Sequence, residues 1–476
     1  MSITEQILSD IETSILQRLS PEQAWHYQLI PYRMESGKLF AALSDQKQDI
    51  AGIAMELQVM LGYEIELSHF DKDIILRYLG QYYRRHEQRN VGSLSSNKDS
   101  LTDLILEAQQ LNCSDIHIEV YEERCRVRFR IDGALIERYV LDRLQYPGLV
   151  NKIKIKANLD IAEKRLPQDG RIFFEHGQNK FDIRVSTLPT LYGEKVVMRL
   201  LRSNFSNIDL LNLGFSKEEM EVYLEGTERE TGMVLISGPT GSGKTTTLYA
   251  TLQRLNETSR NILTIEDPIE YTLEGVNQVQ LKEAIGLDFA ATIRTFMRQD
   301  PNIIMVGEIR DRPTGEMAIR ASLTGHLVLS TIHTNSAWGI VARLIDMGIP
   351  SYLLADTLNT AVAQRLLRVL CPHCKEKMAF ENQLLPKRYK APRKLAQHWV
   401  GKGCEECFYT GYRGRTAIYE VIGIDEELSD KIKNEELNVG ALLKERGLIS
   451  LADNAFNLVE NGKTSIKEAY AILSGG

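Results

Sequence analysis

Apolar residues recur along this chain in two periods, and the places where the period changes divide it. Leu39–Leu43 is a short apolar run that reads as a strand, whereas Ile50–Leu61 has the three-and-four spacing of a helix. Ile74–Tyr83 repeats the helical spacing and ends at the basic Arg84-Arg85-His86. Residues 1–90 therefore read as a small α/β domain. The polar stretch 87–100 carries glycine and serine and has no period, so a linker is expected over 91–100.

A second segment, 101–205, opens with the amphipathic helix Leu101–Ala108. Arg124–Ile131 then alternates at every position, which puts four arginines on one strand face and apolar side chains on the other. Asp132-Gly133 reads as a hairpin turn, and further strands are expected at 171–174, 181–186 and 195–200. Lys152–Lys156 also alternates, but it is too short for its period to decide between strand and helix. Over 206–360, strands at 233–237, 262–265, 303–306 and 327–332 alternate with helical stretches, as in an α/β nucleotide-binding core. Residues 361–476 carry paired cysteines and a helical C-terminus. No internal repeat or low-complexity tract is visible.

The bulk numbers change this picture little. A length of 476 residues suggests two to four domains, and 43% hydrophobic with 25% charged residues is ordinary for a folded soluble protein. Net charge is -7 and the pI about 5.9, so no global basic surface invites nucleic acid. The N-terminus lacks a signal-like pattern and no stretch of eighteen apolar residues occurs, so a cytoplasmic protein is expected.

The most specific motif is Gly238-Pro239-Thr240-Gly241-Ser242-Gly243-Lys244-Thr245, between the strand Met233–Ile236 and a helix opening at Thr246. Its glycines let backbone N–H groups turn toward phosphate oxygens, and the helix adds its positive end. Lys244 is expected to reach the β- and γ-phosphates and Thr245 to coordinate magnesium. The strand Ile303–Val306 ends in Gly307-Glu308, an acid placed to act on the attacking water or the magnesium. Glu266 and Asp267 end the strand Ile262–Ile265, either as magnesium and water organisers or as surface acids. His326 and His333 bracket Leu327–Ile332 as candidate γ-phosphate sensors or as structural histidines.

Cys371-Pro372-His373-Cys374 and Cys404-Glu405-Glu406-Cys407 form two CxxC knuckles. Four thiolates with no open position describe a structural zinc site, and His373 is a spare ligand beside a set already full. Cys113 and Cys125 stand alone among apolar residues and read as buried thiols.

Taken in order, these motifs resemble those of the assembly ATPases of type II secretion and type IV pilus biogenesis. Gly238–Thr245, Ile265–Tyr271, Arg298–Asp311 and Thr324–Asn335 correspond to that family's Walker A, aspartate, Walker B and histidine boxes. Ser114–Glu119, Arg130–Gly133 and Leu166–Arg171 extend the resemblance upstream, so that it covers roughly residues 20–470. It implies a RecA-like P-loop core, a PAS-like α+β domain before it, a small N-terminal α/β domain and a C-terminal tetracysteine zinc insert at 371–407. It also implies a homohexamer in which Arg184 and Arg199 of the PAS-like domain reach the nucleotide phosphates, with Thr246 and Asp267 adding to the nucleotide and magnesium contacts. Glu266, His326 and His333 gain catalytic or sensing roles by the same route, and Lys152–Ala162 becomes a helix.

The implied cofactors are ATP, Mg2+ and Zn2+. The implied partners are an inner-membrane platform protein and a cytoplasmic domain of the machinery, on which residues 1–90 dock, with no direct nucleic acid. The tetracysteine insert resembles the assembly rather than the retraction members. Type II secretion, pilus extension and a competence pseudopilus stay open, and a nucleic-acid motor or a nucleotide-gated scaffold are the rival classes.

Overall fold

The computed structural model describes residues 8, 11–16, 18–19, 21–35, 37–44, 49–83, 100–122, 124–177, 179–201, 209–381 and 384–475. The linker expected at 91–100 lies outside the described residues except for Ser100, which begins a helix. Four sheets organise the chain.

The first is three-stranded. β1 (Leu29–Glu35) runs antiparallel to β2 (Lys38–Ser44), and β2 parallel to β3 (Glu64–Phe70). The crossover between β2 and β3 is the helix Ile50–Leu61, capped by the Asp49 carboxylate and ended by Gly62 in the left-handed region. A second helix, Lys72–Tyr82, packs so closely on Tyr409 that a Cβ at position 80 would require the tyrosine ring to move.

The second sheet has six antiparallel strands in the order β6-β5-β4-β9-β8-β7. They are β4 (Asp115–Val120), β5 (Cys125–Ile131), β6 (Ala134–Leu141), β7 (Gln168–His176), β8 (Asn179–Thr190) and β9 (Gly193–Leu201). Helices Ser100–Gln110 and Tyr146–Lys156 contribute to a shared apolar core with Ile116, Ile118, Val127 and Phe129, in which Cys113 and Cys125 are also buried. The opposite face carries Asp115, His117 and Glu119 of β4 against Arg126, Arg128 and Arg130 of β5, as the alternation requires. The helix implied for 152–162 is corrected to Tyr146–Lys156. It opens with a proline in its first turn and stops at Ala157, and Asn158 has a positive φ of 55°.

The third sheet is the core. Its order is β12-β11-β13-β14-β10-β15-β18, parallel throughout except for the final antiparallel pair. β10 (Gly232–Ser237) lies between β14 (Leu327–Ile332) and β15 (Leu358–Leu370), and β13 (Ile303–Val306) lies beyond β14. β11 (Ile262–Glu266) and β12 (Asn277–Gln280) complete one side. Strands β10, β11, β13 and β14 are buried along their whole length because helices cover both faces. A small fourth sheet pairs β16 (Lys375–Ala379) with β17 (Gln397–Gly401), after which β18 (Tyr412–Gly423) returns to the core sheet.

This corrects the boundary expected at 360. β15 crosses it and β18 lies well past it, so the core sheet extends to Gly423 and the cysteine-bearing hairpin is inserted between its last two strands. No helix among the described residues is long and apolar enough to cross a membrane.

Candidate nucleotide site and metal centre

The parallel core strands present their C-terminal ends at one edge, and the nucleotide motifs gather there. Gly238 leaves β10 at φ 153°, and a Cβ there would lie 2.5 Å from the Gln364 carbonyl and 2.6 Å from Ser242 Oγ. Gly243, in the left-handed region, caps the helix Lys244–Leu255, so the unpaired N–H groups of its first turn open onto the loop. The Lys244 ammonium donates to the carbonyls of Gly238 (2.8 Å) and Pro239 (3.1 Å). Burial pulls it below its ordinary pKa. Glu308 acts in the opposite sense, and Arg365 adds to the lowering. Ser242 Oγ is buried without a protein partner, whereas Thr245 is exposed. The free N–H groups of one first helical turn, a desolvated ammonium and an orphaned hydroxyl suit a polyphosphate.

Beyond β13, Glu308 stands between two partners. Its Oε1 pairs with Arg310, and its Oε2 lies 3.4 Å from His333 Nε2 at the end of β14. Arg310 also faces Asp267 at 3.8 Å. Lys244, Glu308, His333 and Asp267 thus share one edge, with Arg310 tying the two acids together.

Other expected residues fall elsewhere. Glu266 is buried and accepts hydrogen bonds from Tyr249, Thr264 (2.6 Å) and Gln278 (3.0 Å), so its carboxylate is engaged behind the loop helix. Arg184 donates to the Ile269 carbonyl at 3.0 Å, beside the segment that follows β11. Arg199 is held by Asp115 at 2.8 Å. His326 stands at the other end of β14 from His333. It precedes β14, bonds Ala321 O and Thr324 through Nδ1, and lies a six-residue strand (about 20 Å) from the phosphate-loop edge.

Three residues not singled out in sequence complete the edge. Arg310 is two positions past Glu308. Gln364-Arg365 ends the buried half of β15, where Gln364 accepts from Thr247 at 3.0 Å and Arg365 reaches Asn335. A polar pair interrupting the apolar run Ala361–Leu367 was the available signal.

At the far end of β15 the four cysteine sulfurs all lie within 4.8 Å of one another. Cys371–Cys404, Cys374–Cys407 and Cys404–Cys407 are each 3.8 Å apart. A disulfide needs about 2 Å, whereas four thiolates at about 2.3 Å from a tetrahedral ion lie about 3.8 Å apart. The N–H groups of Cys404 and Gly411 donate to Cys407 Sγ at 3.2 and 3.3 Å, as around a bound thiolate. The donor set therefore fits one tetrahedral metal ion, and His373 is not part of it.

Residues 92–471 match the family model described as "Type II/IV secretion system protein". The chain belongs to that family. It is 48% identical over 371 residues to the type II secretion system protein E of Pseudomonas aeruginosa, covering 77% of this chain and 73% of that protein. It is 40% identical over 491 aligned positions to the type IV pilus assembly ATPase PilB of Myxococcus xanthus, covering 95% and 86%. Among solved structures, the pilus retraction motor PilT with bound ADP superposes with a TM-score of 0.54 at 25% identity, covering 78% of this chain and 96% of that one. The Legionella pneumophila ATPase DotB superposes at 0.61, with 23% identity and coverage of 79% and 96%, and supports the fold alone. The chain is a P-loop ATPase of the secretion and pilus-assembly family, with a RecA-like core and a tetracysteine metal-binding cluster.

Proposed function

We propose that the chain is the subunit of a homohexameric motor that hydrolyses ATP to ADP and phosphate and drives pseudopilus or pilus assembly. The similarity to a secretion ATPase and to a pilus-assembly ATPase supports this, and the approach of Glu308 to His333 beside Lys244 carries the mechanism. Residues Gly238 to Thr246 hold the phosphates, with Lys244 exchanging its carbonyl acceptors for phosphate oxygens. Thr245 and Asp267 would hold a magnesium ion, which would supply charge neutralisation at the phosphates. Glu308 takes a proton from the attacking water as the water oxygen bonds to the γ-phosphorus. The bond to the β–γ bridging oxygen breaks, and ADP carries the electron pair away. His333 orients the Glu308 carboxylate, and Glu266 fixes the loop helix through Tyr249.

The six-stranded sheet is the PAS-like domain of this reading, and its Arg184 and Arg199 close over the phosphates during the cycle. Zinc fills the tetracysteine site. Residues 1–90 dock the motor on a cytoplasmic domain of the machinery, and the ring acts on an inner-membrane platform protein from the cytoplasmic side. Glu308→Gln should lower ATP turnover by about 10²-fold or more in a phosphate-release assay, and unchanged turnover would remove Glu308 from the chemistry. Metal analysis of protein purified without chelator should find about one zinc per chain, falling to none in Cys404→Ser. Zinc retained in that variant would reject the site.

A further inference from the structure

The two cations at the phosphate-loop edge share an unusual arrangement. Lys244 rests on two backbone carbonyls, and so does Arg365. Arg365 Nη1 donates to Gln364 O at 2.9 Å and Nη2 to Asn335 O at 3.0 Å, with Asn335 Oδ1 at 3.5 Å. Among the described residues no carboxylate lies within ion-pair distance of it. Arg368, three positions on, has such a partner in Glu468.

The guanidinium also sits against the loop itself. β15 runs parallel to β10 in a register that sets Ala363 beside Ser237, so Gln364 and Arg365 accompany the chain as it turns into Gly238. A Cβ on Gly238 would lie 3.1 Å from Arg365 Nη1. Through Asn335 the same side chain reaches the loop that follows β14 and begins with His333. Carbonyl oxygens orient a guanidinium without neutralising it, and Glu420 acts on Arg365 only through space. Burial disfavours the charge on both cations and Arg365 further disfavours that on Lys244, while Glu308 and Glu420 offset this only through space, so the pair offers a place for an anion.

We propose that Arg365 is a second phosphate-binding cation of the nucleotide site, supplied in cis by β15 and engaging the terminal phosphate together with Lys244. The inference rests on the loop binding nucleoside triphosphate. Arg365 then exchanges a carbonyl for a phosphate oxygen. Because its other amine stays near Asn335, the presence of that phosphate is felt in the loop bearing His333. Unlike Arg184 and Arg199, which belong to another sheet, this arginine needs no domain movement to arrive.

The test is equilibrium binding of a non-hydrolysable ATP analogue and of ADP to the full chain, to Arg365→Gln, to Arg365→Lys and to Lys244→Ala. Arg365→Gln should weaken the triphosphate analogue at least about tenfold and ADP by much less, with Arg365→Lys between it and the parent. A folded Arg365→Gln protein that binds the analogue as tightly as the parent overturns the proposal. Should Arg365→Gln not fold, Arg365→Lys decides. A structural role gives parental affinity with a lowered melting temperature and overturns it, whereas selective loss of the triphosphate supports it. If the parent itself binds neither nucleotide, the nucleotide reading of the loop fails. If Lys244→Ala loses binding and both Arg365 variants keep it, only the assignment of Arg365 fails.

Discussion

The two basic faces of this molecule are built on opposite principles. Where β4, β5 and β9 of the six-stranded sheet meet, the cations are matched by carboxylates. Glu119 receives Arg126 and Arg128 at 2.8 Å each and Lys195 at 3.1 Å, while Asp115 receives Arg199 at 2.8 Å and Arg130 at 3.4 Å. At the phosphate-loop edge, Lys244 and Arg365 meet neutral carbonyls instead. The first arrangement is complete in itself and holds β4, β5 and β9 together. The second has surplus charge at a place where backbone N–H groups also converge, and it is complete only with an anion. Counting arginines therefore says little about where phosphate goes, whereas asking what already compensates each one is informative.

If the sheet pairs are structural, breaking one should cost stability more than turnover. Burial by itself would raise the Glu119 pKa, but hydrogen bonds from Arg128, Arg126 and Lys195 hold it down at about 2. A depressed carboxylate contributes stability that is fully present above its ordinary pKa, near 4.5, and that is lost as pH falls from there toward 2. Glu119→Gln leaves Arg128 and Lys195 without their carboxylate and Arg126 with only Glu137 at 3.6 Å, and it should cost about 3 kcal/mol in denaturant unfolding at pH 7. The gap from the parent protein should narrow below pH 4.5 and close near pH 2. A constant gap across that window would mean that the ion pairs are not its source.

The same distinction explains what could be read in advance. β10, β11, β13 and β14 stood out because a parallel strand buried on both faces must be apolar throughout, and the functional residues directly follow such runs. β15 and β18 were missed because they do not look like core strands. β15 contains Asn359, Thr360, Gln364, Arg365 and Arg368, and β18 carries Arg413, Gly414 and Arg415 directly after its first residue, Tyr412. Those polar residues are there for the site, for the cysteine hairpin and for contact with the second sheet, where Asp132 accepts from the Gly414 N–H at 2.6 Å. His326 and His333 bracket one strand in sequence, yet bracketing a strand means standing at its two ends, and only one end faces the phosphate loop. The alternation of Lys152–Lys156 resembled a strand because Lys154 is buried against Glu194 at 2.8 Å, which leaves the helix without a clean polar face. Local period cannot reveal a partner forty residues away.

The sharpest small test concerns Arg199, which the proposed mechanism needs at the phosphates and which the structure shows on Asp115. Burial would raise the Asp115 pKa, but Arg199, Ser114 and Arg130 hold it below the usual carboxylate range, so the pair is intact at neutral pH. Arg199 must give up this partner to reach phosphate, and the exchange weakens whatever the phosphate contact contributes. Asp115→Asn keeps the shape and removes the competing charge. The freed guanidinium should then lower KM for ATP by about two- to fivefold, the range of one partly exposed ion pair, with kcat changed less than twofold. Arg199→Ala in the same background should erase that gain. An increase in KM in Asp115→Asn would instead make Asp115 the residue that aims Arg199, and the two faces would then differ in strength of compensation rather than in kind.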